Sequence, residues 1–422
     1  MNLIDLSNKN ILVGVTGSIS AYKACEVVRL FVKSGANVNV VMSDSAVKFI
    51  SPLTFEALTR NKVLTSNSED WSSNLNHIEL SQSADAFVIA PATANTINRL
   101  AKGITGSLVL DAALAHDKNL IVAPAANTQM LQNHYTQGSL KMLAVNDVKI
   151  VQPQSKKLAC GTEGIGALAE PIDIYYATVK EILKDDFWSD RRVVVTGGGT
   201  IERIDDVRYI SNFSSGKMAN ALATALYLKG ADVCLITTKP TNDIPKEIYV
   251  IDVESANEMQ EFVIDSIRVA KKGVMSKASL NNPNAIGMIQ KTPYLFMAAA
   301  VADYRPKYPQ NGKLKKDALG DEWALELVKN EDILSSIDKS GIITIGFKAE
   351  KDKITALNNS KNMLVNKNLD AVCLNILDKD NNFGSDLNEI TFITKESEKT
   401  LPLKPKTQIA FEILEEAKKL DE

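Results

Sequence analysis

The sequence predicts an α/β protein made of two tandem Rossmann-like domains. Short runs rich in β-branched residues alternate with segments of helical periodicity, a pattern typical of parallel sheets covered by helices. An apolar strand-like run ends in a glycine turn twice, as VGVTGS at 13–18 and as VVVTGGGT at 193–200. A chain of 422 residues also exceeds what one core usually holds, so two or three domains are expected.

Four strand-like runs predict the first domain. ILVGVT is followed by a helical pattern from Ser20 to Lys33, and VNVVM, AFVIAP and NLIVAP are further short strands. Ligands of parallel sheets bind at the carboxyl ends of the strands. The polar segments TGSIS, MSDSA, PATAN and PAANTQM follow these runs, so we expect them to converge on one site.

The second domain is predicted to start after the acidic stretch KDDFWSDRR (184–192), which is typical of a linker with few core contacts. A helix is predicted from about Lys217 to Lys229, together with the strands ADVCLIT, IYVIDV, YLFMAAAV, IITIGF and DAVCLN. The polar segment 276–291 interrupts this pattern and is expected to be a surface insertion or a mobile flap. The predicted domains are therefore residues 1–188 and 189–422.

Composition and charge argue against several classes of protein. A hydrophobic content of 45% with 23% charged residues is ordinary for a globular protein, and a net charge of −3 provides no attraction to nucleic acid or anionic membranes. The four cysteines have neither disulfide-like nor metal-type spacing, and the N-terminal segment has no apolar signal core. The sequence therefore predicts a cytoplasmic protein without a nucleic-acid or membrane partner.

Three loops of the first domain are candidate binding segments, and each also has a purely structural interpretation. The glycine of VTGSIS allows a tight turn, which either presents a helix N-terminus to an anion or simply joins a strand to a helix. Thr93 and Asn95 follow a strand, where Asn95 could instead be an N-cap. Asn127 directly follows another strand and could bind a substrate or form a turn.

His77 and Cys160 carry the side chains best suited to catalysis in the first half. His77 follows the polar loop SNSEDWSSNLN, which favours partial exposure and titration near neutral pH, whereas a structural role is expected for His116 and His134. Cys160 lies in LACGTEGIG, downstream of two lysines whose charge would favour the thiolate. A thiol in a glycine-rich loop suggests a redox or acid function, although an incidental surface cysteine is the alternative.

Three segments of the second half are candidates for anion chemistry. RYISNFSSGKM joins a serine-rich turn to a helix start containing Gly216 and Lys217, which is either an anion cradle or a capped helix. AAAVADYRP puts Asp303 at the exit of a strand, where an acid could hold a metal or a base. The lysine run KLKK (313–316) is either a solvated surface or a source of charge for neutralising phosphates.

The order of these motifs resembles two known families joined in one chain. VTGSISAYK, NHIEL, APATAN, PAAN and ACGTEGIG are similar to the flavin-dependent cysteine decarboxylase family. TGGGTIERIDDVRYISNFSSGKM, AAAVADYR, KLKK, NEDIL, GFKAE and NKNLD are similar to the phosphopantothenate–cysteine ligase family. The motifs cover nearly the whole chain, and their combination resembles the bifunctional family that carries both activities in coenzyme A biosynthesis.

This resemblance implies an N-terminal flavoprotein domain, a C-terminal CTP-dependent ligase domain and two successive reactions. The ligase domain would use CTP and Mg²⁺ to activate 4′-phosphopantothenate as an acyl-cytidylate, which cysteine then attacks. The flavoprotein domain would use FMN to oxidise the product's thiol to a thioaldehyde, release CO₂ and reduce the resulting enethiol to 4′-phosphopantetheine. The resemblance also implies a homo-oligomer, with flavin-domain trimers linked by ligase-domain dimers.

The same resemblance implies roles for individual residues. Cys160 would donate the last proton from a closing flap, His77 would act in decarboxylation, and Asn127 would hold the substrate carboxylate. Asn212 would stabilise the acyl-cytidylate, and no metal ligands are assigned. The flavin site would be lined by Gly17, Ser18, Ile19, Ser43, Thr93 and Asn95. The CTP site would comprise Ala298, Ala299, Asp303, Lys313, Glu331, Asp332, Ile333, Leu334, Phe347 and Lys367.

Three positions depart from the family pattern. Ala126 stands beside Asn127 where the family has methionine. Met363 stands where the family has a second CTP lysine, with Lys361 nearby as a possible substitute. The glycine-rich segment is followed by Ala167 and Leu168, where a basic or bulky residue is usual.

Two other functions compete with the bifunctional enzyme. An NAD(P)-dependent oxidoreductase would need GxGxxG followed by an acidic ribose contact, and neither glycine turn has that spacing. A non-catalytic regulatory subunit on the flavin fold can lack the cysteine and often carries a long acidic tail. This chain has Cys160 and ends in the helical pattern IAFEILEEAKKLDE, so the enzyme is favoured.

Overall fold

The computed structural model describes residues 3–73, 75–157, 163–276, 279–280, 287–315, 322–378, 381–382 and 384–421. The chain divides into two compact units. The first comprises Leu3–Lys184 together with Ser276–Gly287, and the second comprises Asp185–Met275 together with Met288–Glu422. The assignment of functional domains to 1–188 and 189–422 stays a prediction.

The first unit contains a five-stranded parallel sheet and a hairpin. Its strands are β1 (Asn10–Val15), β2 (Asn37–Met42), β3 (Ala86–Ala92), β4 (Asn119–Pro124), β5 (Lys149–Ile150), β6 (Gln154–Lys157) and β7 (Glu163–Ala167). The sheet order is β2-β1-β3-β4-β5, so the direction of winding reverses between β1 and β3. A crevice opens at the carboxyl ends of strands at such a reversal, which positions a ligand site there.

Helices pack against this sheet. They are α1 (Ala21–Lys33), α2 (Asp44–Val47), α3 (Pro52–Thr59), α4 (His77–Ser83), α5 (Ala94–Leu100), α6 (Leu108–Ala115), α7 (Thr128–Gln132), α8 (His134–Val145) and α9 (Pro171–Leu183). The helix predicted from Ser20 is confirmed, with Ser20 as the N-cap of α1. Val27, Val28 and Phe31 form the buried face of α1, and every residue of β3 is buried, as expected for a central strand.

β6 and β7, which flank residues 158–162, pair as antiparallel strands. A Cβ atom at Gly164 would overlap the hydroxyl of Thr128, and one at Gly166 would overlap the carbonyl oxygen of Ala126. The two glycines therefore allow β7 to lie directly against the segment that follows β4. Cys160 lies outside the described residues, so its exposure and its position on a closing flap stay predictions.

The second unit contains an eight-stranded mixed sheet. Its strands are β8 (Arg192–Gly197), β9 (Ile201–Arg203), β10 (Tyr209–Ser211), β11 (Asp232–Thr237), β12 (Tyr249–Asp252), β13 (Val274–Met275), β14 (Met288–Ile289), β15 (Tyr294–Met297), β16 (Tyr304–Pro306), β17 (Leu327–Lys329), β18 (Ile343–Glu350), β19 (Ala371–Ile376), β20 (Leu387–Ile393) and β21 (Glu398–Pro405). The main sheet has the order β12-β11-β8-β15-β18-β19-β20-β21, and β20 and β21 run antiparallel to their neighbours. Its winding reverses between β8 and β15.

The helices of the second unit are α10 (Lys217–Leu228), α11 (Ala256–Ala270), α12 (Ile333–Ser336), α13 (Ala356–Asn366) and α14 (Lys406–Lys418). The helix predicted from Lys217 to Lys229 is confirmed as α10, with Lys229 as its C-cap. Met259, Val263 and Ile267 of α11 pack with Leu295 of β15 in one apolar core. No helix in the described part of the chain has the length and apolar character needed to cross a membrane.

The acidic stretch before β8 is not the loosely packed linker that its composition predicts. Trp188 is 0% exposed, and its ring packs edge-on against Phe187 and Tyr294 at centroid distances of 4.9 and 5.0 Å. Ser189 accepts a hydrogen bond at its carbonyl from Lys291 Nζ at 2.7 Å. The aromatic side chains draw this stretch into the core of the second unit, because burying a tryptophan outweighs the polarity of its neighbours.

The polar segment 276–291 begins and ends beside a short hairpin. Val274 pairs with Ile289 and Met275 with Met288 across β13 and β14. In the described part of the segment, Ser279 Oγ donates to Asp147 Oδ2 at 2.9 Å and the Leu280 amide donates to the Val145 carbonyl at 2.8 Å. These two residues are therefore held by hydrogen bonds at the end of α8, which fits the surface insertion rather than the mobile flap, the other alternative expected there.

Candidate active sites

A cavity of about 550 Å³ lies at the carboxyl ends of β1 and β3. Five of the six residues predicted for the flavin site line it: Gly17, Ser18, Ser43, Thr93 and Asn95. The sixth, Ile19, is 60% exposed and is not part of the wall. The other lining residues are Thr16, Asp44, Ser45, Ala94, Thr96, Arg99, Gly106, Ser107, Ala125, Ala126 and Met130. The volume falls within the range of sites that enclose small molecules and cofactors.

Hydrogen bonds fix the two strand ends that border this cavity. The buried Thr16 hydroxyl donates to the Pro91 carbonyl at 2.6 Å and accepts from the Thr93 amide at 3.1 Å, which ties the end of β1 to the end of β3. Thr93 is the N-cap of α5, and its hydroxyl accepts from the Thr96 amide. The alternative N-cap role for Asn95 is therefore wrong, since Asn95 lies inside α5 with its side chain exposed.

Gly17 is needed for a close approach of two loops. A Cβ atom added there would lie 2.5 Å from Cβ of Ser45, in the turn that begins α2. That turn is ordered by Ser43, whose side chain accepts from the Ala46 amide at 3.3 Å. Two hydroxyl-bearing turns therefore meet at the edge of the cavity only because residue 17 has no side chain.

The chemistry of the wall suits a phosphate-bearing ligand such as FMN. Hydroxyl groups of Ser18, Ser43 and Ser107 can donate to phosphate oxygens, and Arg99 supplies positive charge in the same wall. The guanidinium of Arg99 donates to the carbonyl of Thr105, which holds it in place. The residues present thus fit an anionic cofactor.

His77 is the first residue of α4, next to the N-cap Asn76. Its Nδ1 atom lies 2.6 Å from Oε1 of Glu69, and the Trp71 ring meets the imidazole edge-on at a centroid distance of 5.5 Å. His77 is not among the residues that line the 550 Å³ cavity. Glu69 is a residue that the sequence analysis missed. Only its position in the loop before His77 could have suggested it.

Asn127 is the N-cap of α7, and its side-chain oxygen accepts from the Gln129 amide at 3.0 Å. Ala126 and Met130 on either side of it line the cavity, and the Ala126 amide donates to the Gly166 carbonyl at 3.1 Å. The alanine that replaces the family methionine thus faces the cavity directly beside Asn127. The capping bond fits the turn interpretation of Asn127, and its contact with a substrate carboxylate stays a prediction.

A second cavity, of about 420 Å³, lies in the other unit beyond the carboxyl ends of β15 and β18. It contains four of the predicted ligase residues: Asn212, Ala298, Ala299 and Phe347. The wall also includes Phe213, Ser214, Ser215, Gly216, Lys217, Met218, Ala219, Ala300, Lys348, Ala349, Asn375, Asn382, Asn388, Ile390 and Lys406. The helix start predicted as an anion cradle therefore borders the same space as the ends of β15 and β18.

Asn212 does not cap the helix that follows it. Its Nδ2 atom donates to the Val301 carbonyl at 2.9 Å, which ties the serine-rich turn to the loop after β15. The N-cap of α10 is Gly216, with φ of +72°, a conformation that favours glycine. The capped-helix interpretation of this segment therefore does not involve the Asn212 side chain.

The remaining predicted CTP residues lie outside that cavity wall. Asp303 and Lys313 are exposed on loops. The loop that carries Lys313 is held by two acidic residues distant in sequence. The Leu314 amide donates to Asp205, and the Gly312 amide donates to Asp206. The Arg208 guanidinium also binds Asp205 and holds the pKa of this buried carboxyl well below its usual range. The acidic pair lies within the motif TGGGTIERIDDVRYISNFSSGKM, whose sequence alone indicates no role for it.

The segment Glu331–Leu334 begins α12. Ile333 and Leu334 are buried in the apolar core, so any contact of theirs with a nucleotide would come from the backbone. Asp332 is the N-cap of α12 and lies 2.6 Å from Lys367 Nζ. Burial favours the neutral acid, but hydrogen bonding and charge from Lys367 outweigh it, so the pKa of Asp332 lies below its ordinary value. Glu331 is exposed.

Lys361, the possible substitute for the missing second lysine, lies 2.5 Å from Glu398 on β21 and forms an ion pair with it. Met363 packs against the apolar core of the second unit. In this arrangement Lys361 is engaged by a carboxylate at a separate place from the Asp332–Lys367 pair. Neither residue therefore supplies a second positive charge beside Lys367.

Lys406 is a buried cation in the second cavity that the sequence analysis missed. It is 5% exposed, and its Nζ atom donates to the carbonyls of Ser385 and Leu387 at 2.5 and 2.7 Å. Burial and the nearby charge of Lys217 lower its pKa to about 8. Its sequence context, the second lysine of LPLKPKTQ at a helix start, gave no signal of burial.

Metal ligands are not concentrated in one place. In the ranges that the structure describes, no group of three or more His, Cys, Asp or Glu side chains is arranged to hold a metal ion. The three described cysteines, Cys25, Cys234 and Cys373, are free thiols.

Comparison with known proteins gives consistent matches over both units. Residues 2–183 match the family model described as Flavoprotein, and residues 188–280 and 283–420 match the model described as DNA/pantothenate metabolism flavoprotein C-terminal domain. The chain is 36% identical over 421 residues to the coenzyme A biosynthesis bifunctional protein CoaBC of Haemophilus influenzae, covering 97% of both chains. It is 36% identical over 419 residues to the protein of that name from Bacillus subtilis, again covering 97% of both.

Proposed function

Because this chain belongs to the family of bifunctional coenzyme A biosynthesis proteins, we propose that it converts 4′-phosphopantothenate to 4′-phosphopantetheine in two steps. The first step is CTP-dependent ligation of cysteine, and the second is FMN-dependent decarboxylation of the product. The observation that carries the proposal is the pair of cavities, one at the carboxyl ends of strands in each main sheet and each lined by residues expected for its own reaction.

In the decarboxylase half, Arg99 and the surrounding hydroxyl groups bind the FMN phosphate, and Asn127 holds the substrate carboxylate. Bound flavin supplies two-electron oxidation and reduction of the substrate. His77, held by Glu69, exchanges a proton with the substrate at its Nε2 atom, because Nδ1 is engaged by the carboxylate. Cys160 donates the final proton when the enethiol intermediate is reduced.

In the ligase half, the second cavity binds CTP and 4′-phosphopantothenate. Lys217 and Lys406 add positive charge beside the start of α10, and Asn212 stabilises the acyl-cytidylate. Mg²⁺ enters mainly with the nucleotide, since this ion is usually held by one or two carboxylates together with phosphate oxygens. Asp303, Lys313 and the Asp332–Lys367 pair contact CTP once their loops close on it.

The protein acts in the cytoplasm as a homo-oligomer, with flavin-domain trimers linked by ligase-domain dimers. The free thiols are in keeping with a reducing compartment. Light scattering of the purified protein tests the assembly, because a monomer in dilute solution would contradict it.

The two activities are tested together by mixing the purified protein with CTP, Mg²⁺, cysteine and 4′-phosphopantothenate and following pyrophosphate and CO₂ separately. Both should appear, and omission of cysteine should prevent CO₂ release. His77→Asn should stop CO₂ release but leave pyrophosphate unchanged. Cys160→Ser should release CO₂ and accumulate a product about two mass units lighter, since the last hydride and proton are not delivered. A colourless protein that takes up no FMN would overturn the decarboxylase assignment.

A further inference from the structure

Glu69 binds His77 at two points through one oxygen atom. Its Oε1 atom lies 2.6 Å from Nδ1 of the His77 ring and also accepts from the His77 backbone amide at 3.3 Å. The two side chains are 19% and 18% exposed, so water competes little for this contact. A short separation of this kind is typical of a hydrogen bond to an ionised acceptor.

The carboxylate is itself mounted on an ordered turn. The Glu69 amide donates to the Thr65 carbonyl at 3.1 Å, and the Thr65 amide donates to Ser68 Oγ at 2.9 Å. Ser68 Oγ in turn donates to the Val63 carbonyl at 2.7 Å, next to Leu64, which bridges to Val41 of β2. This chain of contacts therefore connects the turn that carries Glu69 to β2, an edge strand of the main sheet.

The imidazole is held on a second side by an aromatic ring. Trp71 meets it at an angle of 89°, with its edge or face against the imidazole at 5.5 Å between centroids. The hydrogen bond from the His77 backbone amide to Glu69 and the location of His77 at the start of α4 fix the position of its Cα atom. The ring of His77 is thus restrained in place, in rotation and in the identity of the nitrogen that faces the carboxylate.

A neutral imidazole carries a proton on one nitrogen and a lone pair on the other. A carboxylate can only accept, so Nδ1 must carry the proton and Nε2 keeps the lone pair. We propose that Glu69 is a positioning residue that fixes the Nδ1–H tautomer of His77 and thereby presents Nε2 for proton exchange during decarboxylation. This inference rests on the proposed function of His77.

The variants Glu69→Leu and Glu69→Gln separate this role from simple support of the loop. Leucine removes the acceptor, whereas glutamine retains an oxygen of nearly the same position. Glu79→Gln, two residues beyond His77 on the exposed side of α4, is the matched control. Flavin absorbance and the thermal midpoint check that each full-length variant folds.

The direct measurement is magic-angle spinning NMR of protein labelled with ¹⁵N-histidine, which suits a large assembly. The chain has 3 histidines, so single His→Gln variants assign the ring signals. We expect His77 to be Nδ1–H in the wild type, Glu69→Gln and Glu79→Gln, and to shift to Nε2–H in Glu69→Leu. A ring that remains Nδ1–H in Glu69→Leu would overturn the inference.

The kinetic measurement follows CO₂ release from phosphopantothenoylcysteine. Glu69→Leu should lower kcat by about 10–100-fold with little change in KM, and Glu69→Gln should recover most of the loss. Wild-type kcat in Glu69→Leu, with His77→Asn inactive, would overturn the positioning role alone. Wild-type CO₂ release in His77→Asn would instead overturn the proposed function of His77, and this inference with it.

Discussion

The cavity of the first unit is bordered by turns that directly follow neighbouring strands, whereas the cavity of the second unit collects segments from distant parts of the chain. In the first, the Thr16 side chain ties the ends of β1 and β3 together across 75 and 77 positions. In the second, Lys217 binds Asp386 across 169 positions and Asn212 binds Val301 across 89. The comparison teaches that sheets of similar topology can yield one site determined mainly by strand ends and another that also depends on side-chain contacts spanning up to 169 positions.

The largest expected effect is on the second unit, through Trp188. Trp188→Ala should destabilise that unit by about 3–5 kcal/mol, since a fully buried tryptophan leaves a cavity when truncated. We expect pyrophosphate release to be lost at a lower temperature than in the wild type, with flavin absorbance retained. Thermal inactivation followed by both signals is the measurement.

Trp188→Phe is the matched control for that variant. The indole nitrogen of Trp188 is buried and has no hydrogen-bond partner among the described residues, so phenylalanine should cost much less than alanine. Equal losses in the two variants, or a simultaneous loss of flavin, would contradict the idea that Trp188 supports the second unit in particular.

A smaller effect, on flavin binding rather than on the ligase activity, is expected from Gly17→Ala in the first unit. The new Cβ atom would collide with Ser45, and the strain of about 1–3 kcal/mol should weaken FMN binding by roughly tenfold or more. Pyrophosphate release should be unchanged. Flavin fluorescence titration of the apoprotein measures the effect, and Gly138→Ala, with open space around the new Cβ atom, is the control. Normal FMN affinity in Gly17→Ala would show that the close contact between the Gly17 and Ser45 loops is not needed for FMN binding.

The smallest effect is expected from Lys361→Ala. Its exposed ion pair with Glu398 should contribute less than about 1 kcal/mol, and the KM for CTP should not change. Lys367→Ala should raise that KM several-fold, since it removes the cation paired with Asp332. Initial rates at varied CTP concentration compare the two. A raised KM in Lys361→Ala would show that this lysine does replace the family lysine at Met363.

The parts that the sequence predicts well are those governed by local pattern. Strand-like runs followed by hydroxyl-rich turns predict the first sheet, and Gly17, Ser43 and Thr93 line the cavity because parallel strands end at one edge. The exact start of α5 is less predictable. The stretch TANT (93–96) contains three residues able to cap, and the cap falls on Thr93 because burial of Ala94 and Ile97 sets the helix register.

The parts that the sequence does not predict are those made by contacts between distant residues. Leu314 binds Asp205 across 109 positions, and nothing in the motif around the acidic pair indicates which loop it anchors. Lys406 is buried by a turn that its own segment does not contain. Composition was misleading around Trp188, where acidic neighbours suggested a linker and one aromatic residue determined the packing.

The hydroxyl of Thr16 has a consequence for how a cofactor would enter the first unit. It is a buried group that forms hydrogen bonds with two backbone atoms at the end of β3, so the spacing between the ends of β1 and β3 is fixed by contacts within the protein. Such preorganisation spares a ligand the ordering entropy of shaping its own site. Cofactor capture should therefore be a one-step encounter with a preformed crevice, whose observed rate rises linearly with cofactor concentration and does not level off at a conformational limit.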